Sequence, residues 1–515
     1  MIHVETRVKI PFLWGKSVFK KNCWSKINLI VGPNGSGKTL LAEELAFQFA
    51  DAGYFIEYLK SERENSEKYL KVLQNSEVRE KIQRVLSNMF GKSIIFEEDS
   101  AGNPVPIVVN RAWNVEYGLK EAECHGFKEI LILLASLYSI KEKTCLFFDE
   151  PELHLHPQFQ FFFMNELRKV SLEKPDSVFF LVTHSPFFVD LRFPEELNGV
   201  IVCHINQVPS HIENLSKKDS ELFRRFLPRF NSYHKQFFFS DNQIFVEGYT
   251  DRQMFTNLLP FIHREYSSAG TGIIDVGGKD ELGVFCKVCS LLGTNGRIIT
   301  DLDSLFSGKL RDVFCENKNV NAWLYKQEAK QQQFYKSIFT VRELRSKITL
   351  EKLILKLEQF LQAAGKEFVS CAKNYSFSDN FNNPENAFFE KILYLSQKHE
   401  NAENIDTFKT VVLQGIMTFQ STPESYLSEK TAKNVPLIKN LFSLILAATE
   451  AAGVFILPKG CIEHYYTQTN VQYMPVSAKD RLFHSELEHI LQSSAKQIQN
   501  EYADLILILE KACTR

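Results

Sequence analysis

The segment Gly32-Pro33-Asn34-Gly35-Ser36-Gly37-Lys38-Thr39 constrains this chain more than any other stretch. It satisfies G-x-x-x-x-G-K-[ST] and sits between an apolar run, Ile27–Val31, and a helical pattern over 37–52. A phosphate cradle needs that context. Gly32, Asn34, Gly35, Ser36 and Gly37 form a turn whose backbone N–H groups face phosphate oxygens, and the next helix places its positive end on the anion. Lys38 reaches the outer phosphates as a point charge, and the Thr39 hydroxyl is a ligand for magnesium.

Two more apolar stretches fit the same chemistry. Residues 144–148 end in Asp149 and Glu150. Asp149 is placed to bind ATP-associated magnesium, and Glu150 to polarise the water that attacks the γ-phosphate. Residues 178–183 end at His184, a candidate to sense or stabilise that phosphate. Strands alternating with helical patterns predict an α/β unit with a parallel sheet covered on both faces. Phe12 or Trp14 is a candidate to stack on adenine, with core packing the equal alternative.

Composition excludes several classes. Hydrophobic residues make up 44% and charged residues 24%, which excludes a mainly disordered or collagen-like chain. A net charge of −2 argues against a broadly basic nucleic-acid coat and leaves room only for a local basic groove. The 44 Phe residues read as core filling. No signal-peptide pattern opens the sequence, and no apolar run reaches the roughly 20 residues that span a bilayer. The ten cysteines are scattered, and the single C-x-x-C, Cys286 and Cys289, lacks the second pair a zinc site wants. The expectation is a cytoplasmic protein with reduced thiols and no membrane partner.

A second constellation lies in the C-terminal half. Residues 242–247 read as a strand ending in Glu247, followed by Gly248 and, in the next helical turn, Asp251. Residues 297–301 read as another strand, ending in Asp301-Leu302-Asp303, and alternation along a strand would point both aspartates the same way. Carboxylates gathered on one edge repel one another and stay ionised cheaply only with divalent cations between them. An oxygen-only donor set favours Mg²⁺ or Mn²⁺, and paired ions of this kind support phosphodiester cleavage.

The segment Asp149-Glu150-Pro151-Glu152-Leu153-His154-Leu155-His156-Pro157 resembles the acidic motif of ABC-type ATPases of the OLD (overcoming lysogenisation defect) family. The E-G-x-x-D and D-x-D pieces resemble a TOPRIM domain, and an ABC-type head followed by TOPRIM is similar to the OLD order. The resemblance implies an ABC-type P-loop ATPase domain over 1–238, with a helical insertion at about 55–120. It implies a TOPRIM, Rossmann-like nuclease domain over 239–515, with a helical insertion at about 315–445. It implies that Lys459 stabilises the pentacovalent phosphate, that Glu463 assists a metal, and that ATP is sandwiched against a signature segment at 122–126 of a second head. Lys279 is a further phosphate-contact candidate, and His154 with His156 a weak metal pair.

The implied function is ATP-controlled, metal-dependent endonuclease action, with Glu150, His184, Glu247, Asp301, Asp303 and Lys459 catalytic. Thr39, Asp149, Glu247, Asp251, Asp301, Asp303 and Glu463 are the metal ligands. The resemblance further implies a nucleic-acid substrate, DNA in preference to RNA, an antiphage role, self-association through the heads, and a partner protein encoded nearby. The alternative is an SMC- or repair-like ATPase clamp or sensor that binds without cleaving. A topoisomerase or primase fits less well, because no segment supplies a tyrosine nucleophile in a breakage domain or a polymerase context.

Overall fold

The computed structural model describes residues 2–514 apart from 62–71, 74, 91, 99, 101–103, 111, 120–122, 241, 264–269, 295, 378–383, 399–401 and 419–422. The chain forms two compact units, Met1–Asp241 with Leu291–Thr294, and Asn242–Ser290 with Asn295–Arg515. Both are mixed α/β with parallel sheets, and no helix among the described residues is long and apolar enough to cross a membrane.

The first unit is built on a six-stranded sheet. Its strands run Gln207–His211, Val200–His204, Ile27–Val31, Val178–Val182, Thr144–Asp149 and Phe55–Leu59, parallel except for the first. Thr144–Asp149 and Val178–Val182 are wholly buried. That is why they read as unbroken apolar runs rather than as alternation. The helix Lys38–Asp51 lays Leu41, Leu45 and Phe49 on the sheet. Phe147 stacks on Phe180 at 4.5 Å between ring centroids, and Phe49 meets Phe180 edge-on. These contacts put the abundant phenylalanine in the core, where each ring removes a large apolar area from water.

The expectation of a helical insertion over 55–120 needs correction. Phe55–Leu59 is the edge strand of the main sheet, and Lys92–Glu98, Pro104–Asn110 and Val115–Gly118 form a separate antiparallel sheet. The helix Ser76–Phe90 is present. The resemblance implied helix here, but Ile94, Ile95, Val105, Ile107, Val108 and Val109 are β-branched and favour strand. Part of this stretch, 62–71 among it, lies outside the described residues.

In the second unit the sheet order is Thr271–Asp275, Asn242–Val246, Gly296–Thr300 and Val454–Ile456, all parallel. The helix Tyr249–Leu258 and the C-terminal helix Ala503–Cys513 cover one face through Ile244, Val246, Phe255, Leu505 and Leu509. The helix Lys279–Leu292 covers the other face, where Phe285 meets Phe245 at 5.0 Å. Helices Lys318–Ile338, Leu350–Lys373, Pro384–Gln397, Ala402–Thr418 and Val435–Glu450 lie in the connection between the last two strands. The strand Gly296–Thr300 stops before Asp301, so both aspartates of the D-x-D stand at a turn, Leu302–Leu305, rather than alternating along a strand.

Candidate active sites

The parallel strands of the first unit aim three loops at one sheet edge. Val178–Val182 lies between the P-loop strand and the acidic strand, so Lys38, His184 and the pair Asp149-Glu150 come together where ligands bind in open α/β sheets. Gly32, at φ 144°, packs so closely on Val200–His204 that a Cβ would overlap the Cys203 carbonyl. Gly35 and Gly37 are also at positive φ, Ser36 Oγ donates to Pro33 O at 2.8 Å, and Asn34 is exposed on the turn. The Lys38 ammonium donates to the carbonyls of Gly32 (3.1 Å) and Pro33 (2.8 Å), and its burial lowers its pKa.

Thr39 Oγ1 donates to Asp149 Oδ1 at 3.3 Å, which brings both proposed magnesium ligands into contact. Burial pushes the Asp149 carboxyl up to about 6, with the Thr39 hydrogen bond opposing. Glu150 is held at φ 48°, and its N–H donates to Val182 O at 2.8 Å. Its carboxylate lies 3.6 Å from His184 Nε2. Burial and then the Lys38 charge push His184 down to about 4, so it is neutral at physiological pH. Glu152 was missed as a functional residue. It accepts the His184 N–H at 2.6 Å and the Thr183 hydroxyl at 2.9 Å, which fixes the loop carrying His184. Tyr58 was missed too, and its hydroxyl donates to Asp149 Oδ2 at 3.4 Å. Only the D-E-P-E spelling could have pointed to Glu152.

Other expectations for this unit resolve differently. Trp14 is buried in the core, while Phe12 on the same short helix is 77% exposed, so of the two only Phe12 is free to stack on a ligand. His156 caps the helix Pro157–Glu173 by accepting the Gln158 N–H, which accounts for it without a metal. Of the signature segment, Ala122 lies outside the described residues. Glu123 pairs with Lys92 and Tyr117, both at 2.8 Å.

In the second unit five carboxylates from separate stretches converge. Glu247 follows the strand Asn242–Val246, and its carbonyl accepts the Gly278 N–H at 2.9 Å, so the turn Val276-Gly277-Gly278-Lys279 holds its backbone. Asp251 lies in the first turn of the next helix and accepts the Gly248 N–H at 3.0 Å. Asp301 is 8% exposed, and the next residue, Leu302, donates its N–H to Gly460 O at 2.7 Å. Glu463 sits in the turn Ile462–Tyr465.

Burial raises the carboxyls of Glu247, Asp251 and Asp301, and mutual repulsion adds to it. Asp303 and Glu463 act on Glu247, Glu247 and Glu463 on Asp251, and Asp251 and Glu247 on Asp301. Asp251 is pushed up to about 7. Among the described residues, buried Glu247 Oε2, Asp303 Oδ1 and Glu463 Oε2 have no hydrogen-bond partner.

Two lysines balance part of this charge. Lys279 Nζ meets Asp303 Oδ2 at 3.0 Å, and Lys479 Nζ meets Glu463 Oε1 at 3.3 Å. Burial works against the Lys479 charge, and Asp301 and Glu463 outweigh it, holding its pKa above the ordinary lysine value. Lys459, expected among these acids, is placed elsewhere. Its ammonium pairs with Asp504 at 2.7 Å and lies over the Tyr465 ring. Gly460 makes the close turn here, and the Lys459 side chain leaves it toward Ala503–Cys513. Lys479 carries no motif around it, and nothing in the sequence singles it out.

Among the described residues no three His, Cys, Asp or Glu side chains already form a complete metal-holding group. The donor chemistry nevertheless fits a hard divalent cation: the donors are all carboxylate oxygens, several are unpartnered, and their charge is only partly offset by the two lysines.

A P-loop unit followed by an α/β unit edged with carboxylates defines an ATPase joined to a TOPRIM-type domain. Comparison with known proteins agrees. Residues 125–190 match the family "AAA domain, putative AbiEii toxin, Type IV TA system", and residues 238–303 match "Overcoming lysogenization defect protein-like, TOPRIM domain". The Old nuclease of Escherichia phage P2 is 27% identical over 175 residues, which are 32% of this chain and 29% of that protein. The chain thus matches under a third of the length of this relative. The crystal structure of Stu0660 of Streptococcus thermophilus aligns over 45% of this chain and 86% of its own, at 12% identity and a TM-score of 0.29, too slight a likeness to bear on the fold. Together the sequence matches support an OLD-family ATPase–TOPRIM protein, and these domains imply nucleotide and divalent-metal use.

Proposed function

We propose that this chain is an ATP-binding and ATP-hydrolysing endonuclease that cleaves nucleic acid with Mg²⁺ or Mn²⁺ in its second unit. The observation that carries the reading is the convergence of Glu247, Asp251, Asp301, Asp303 and Glu463 beside Lys479. A single structural acid would be neutralised by one partner, whereas this cluster keeps several oxygens without one.

Glu247, Asp301, Asp303 and Glu463 would hold the cations, and Asp251 adds charge while fixing the start of its helix. Bound divalent ions supply an activated water and stabilise the leaving oxygen. Lys479, held charged, offsets negative charge that develops on the phosphate. Lys279 holds Asp303 and donates to Ser307 at 3.1 Å, which orients that acid.

In the first unit, Lys38 would exchange the loop carbonyls for the outer phosphates, and Thr39 and Asp149 would hold the associated magnesium. Glu150 would orient the attacking water, and neutral His184 would donate a hydrogen bond to a γ-phosphate oxygen without adding charge. Pairing of heads from two chains, control of cleavage by the nucleotide, a DNA substrate and a role in antiphage defence extend this reading from the OLD resemblance. One observation favours a second reading, a clamp or sensor that does not cleave: Asp303 and Glu463 are already paired with lysines.

The test is incubation with plasmid DNA and with total RNA, with Mg²⁺ or Mn²⁺, with and without ATP. Metal-dependent cleavage that a chelator abolishes supports the nuclease. ATP turnover with both nucleic acids intact under every condition supports the clamp.

A further inference from the structure

We infer that Gln414, on the helical insertion, is a positioning residue for the acid cluster. The inference rests on the metal-dependent reading above and deepens it. Gln414 lies in the helix Ala402–Thr418, far in sequence from every acid, and is 1% exposed. Its amide Nε2 donates to Lys459 O at 2.6 Å and lies 3.3 Å from His464 Nε2. Its Oε1 accepts the Met474 N–H at 3.2 Å. One buried amide therefore ties together the two segments that flank Glu463, and the second of them leads on to Lys479.

The contact is tight. Gly460 is at φ 134°, and a Cβ there would overlap the Gln414 amide nitrogen and crowd the His464 ring. His464 completes the arrangement by accepting the Cys461 N–H at Nδ1, 2.9 Å away. The link reaches the other acids through Gly460, whose carbonyl receives the N–H of Leu302, the residue between Asp301 and Asp303. The same helix packs on the turn Leu302–Leu305. Gln414 thus holds the backbone on both sides of Glu463. Groups hydrogen-bonded to metal ligands commonly change metal affinity by about 10–100-fold when removed, and a residue one step further out, such as Gln414, is expected at the lower end of that range.

A purely structural amide would affect stability alone, so the readout is metal affinity. Direct Mn²⁺ binding by the full chain is measured by calorimetry for wild type, Gln414→Met, Gln414→Glu and Asp301→Ala, beside thermal unfolding and ATP turnover. Gln414→Met fills the space without hydrogen bonds. Gln414→Glu keeps the acceptor for Met474 and loses the donor to Lys459 O. Both are expected to weaken Mn²⁺ binding by about tenfold while ATP turnover stays within about twofold. If Asp301→Ala abolishes binding and both Gln414 variants bind as tightly as wild type, the positioning role is overturned and the metal site stands. If Asp301→Ala binds Mn²⁺ normally, the metal reading itself fails. Should Gln414→Met lose its unfolding transition, Gln414→Glu decides alone: wild-type affinity in that variant overturns the inference.

Discussion

Lys479 Nζ stands 3.3 Å from Oε1 of Glu463, a carboxylate with 1% exposure, and its charge is sustained by Asp301 as well. One of the two cations of the acid cluster therefore comes from a residue beyond the motif region. This relationship puts Lys479 where the resemblance implied Lys459, whose ammonium pairs with Asp504. Lys479→Met is expected to reduce nucleic-acid cleavage by about a hundredfold, the scale of losing one group that offsets developing charge. Lys459→Met, which breaks the ion pair with Asp504 and the contact over the Tyr465 ring, is expected to change it by less than about threefold. Cleavage rates at saturating metal check both, and the reverse ranking would return the role to Lys459.

Glu152 gives a second prediction. It receives hydrogen bonds from Thr183 and the His184 backbone, so Glu152→Gln removes the charge-assisted half of that arrangement. ATP turnover should fall about tenfold while nucleotide affinity, which depends on Lys38 and the P-loop, stays within about twofold. Lys38→Ala should do the opposite and abolish nucleotide binding. A fluorescent-nucleotide titration beside a phosphate-release assay separates the two effects.

Gly32 offers a test of the packing beneath the P-loop. A Cβ there overlaps the Cys203 carbonyl, and φ 144° is strained for any other residue. Gly32→Ala should destabilise the first unit by about 2–3 kcal/mol and weaken nucleotide binding with it. Denaturant titration measures the first effect, and an unchanged midpoint contradicts the packing argument.

Stability should also respond to acid through His211. Burial and then Lys21 push it down to about 4, whereas an unfolded chain titrates near the ordinary 6.5. A depressed histidine contributes stability that is present above about pH 6.5 and is lost as pH falls toward 4, because the unfolded chain takes up the proton first. The loss for this residue between pH 7 and pH 5 is about 2 kcal/mol. His211→Gln should shrink the difference in urea midpoint between those pH values. An equal difference in wild type and variant would assign the acid sensitivity to other groups.

Legibility in the sequence followed how local each signal was. The P-loop, the acidic strand end and the E-G-x-x-D and D-x-D pieces are contiguous, and wholly buried strands advertise themselves as apolar runs. The antiparallel sheet over 92–118 departs from the helical insertion the resemblance implied, although its β-branched residues Ile94, Ile95, Val105, Ile107, Val108 and Val109 favour strand. Lys479 and Gln414 were not legible. Each acts through tertiary placement, and neither Ser477-Ala478-Lys479 nor Leu413-Gln414-Gly415 has a spacing that foretells a partner. Lys459 shows the converse: a motif-like position next to Gly460 whose side chain is drawn away by Asp504.

The measurement that bears most directly on the convergent acids is cleavage of plasmid DNA and total RNA by Asp301→Asn in Mn²⁺, run beside ATP turnover of the same preparation. Cleavage lost by at least about a hundredfold, with ATP turnover within about twofold of wild type, is the predicted result. Cleavage at the wild-type rate would contradict the site.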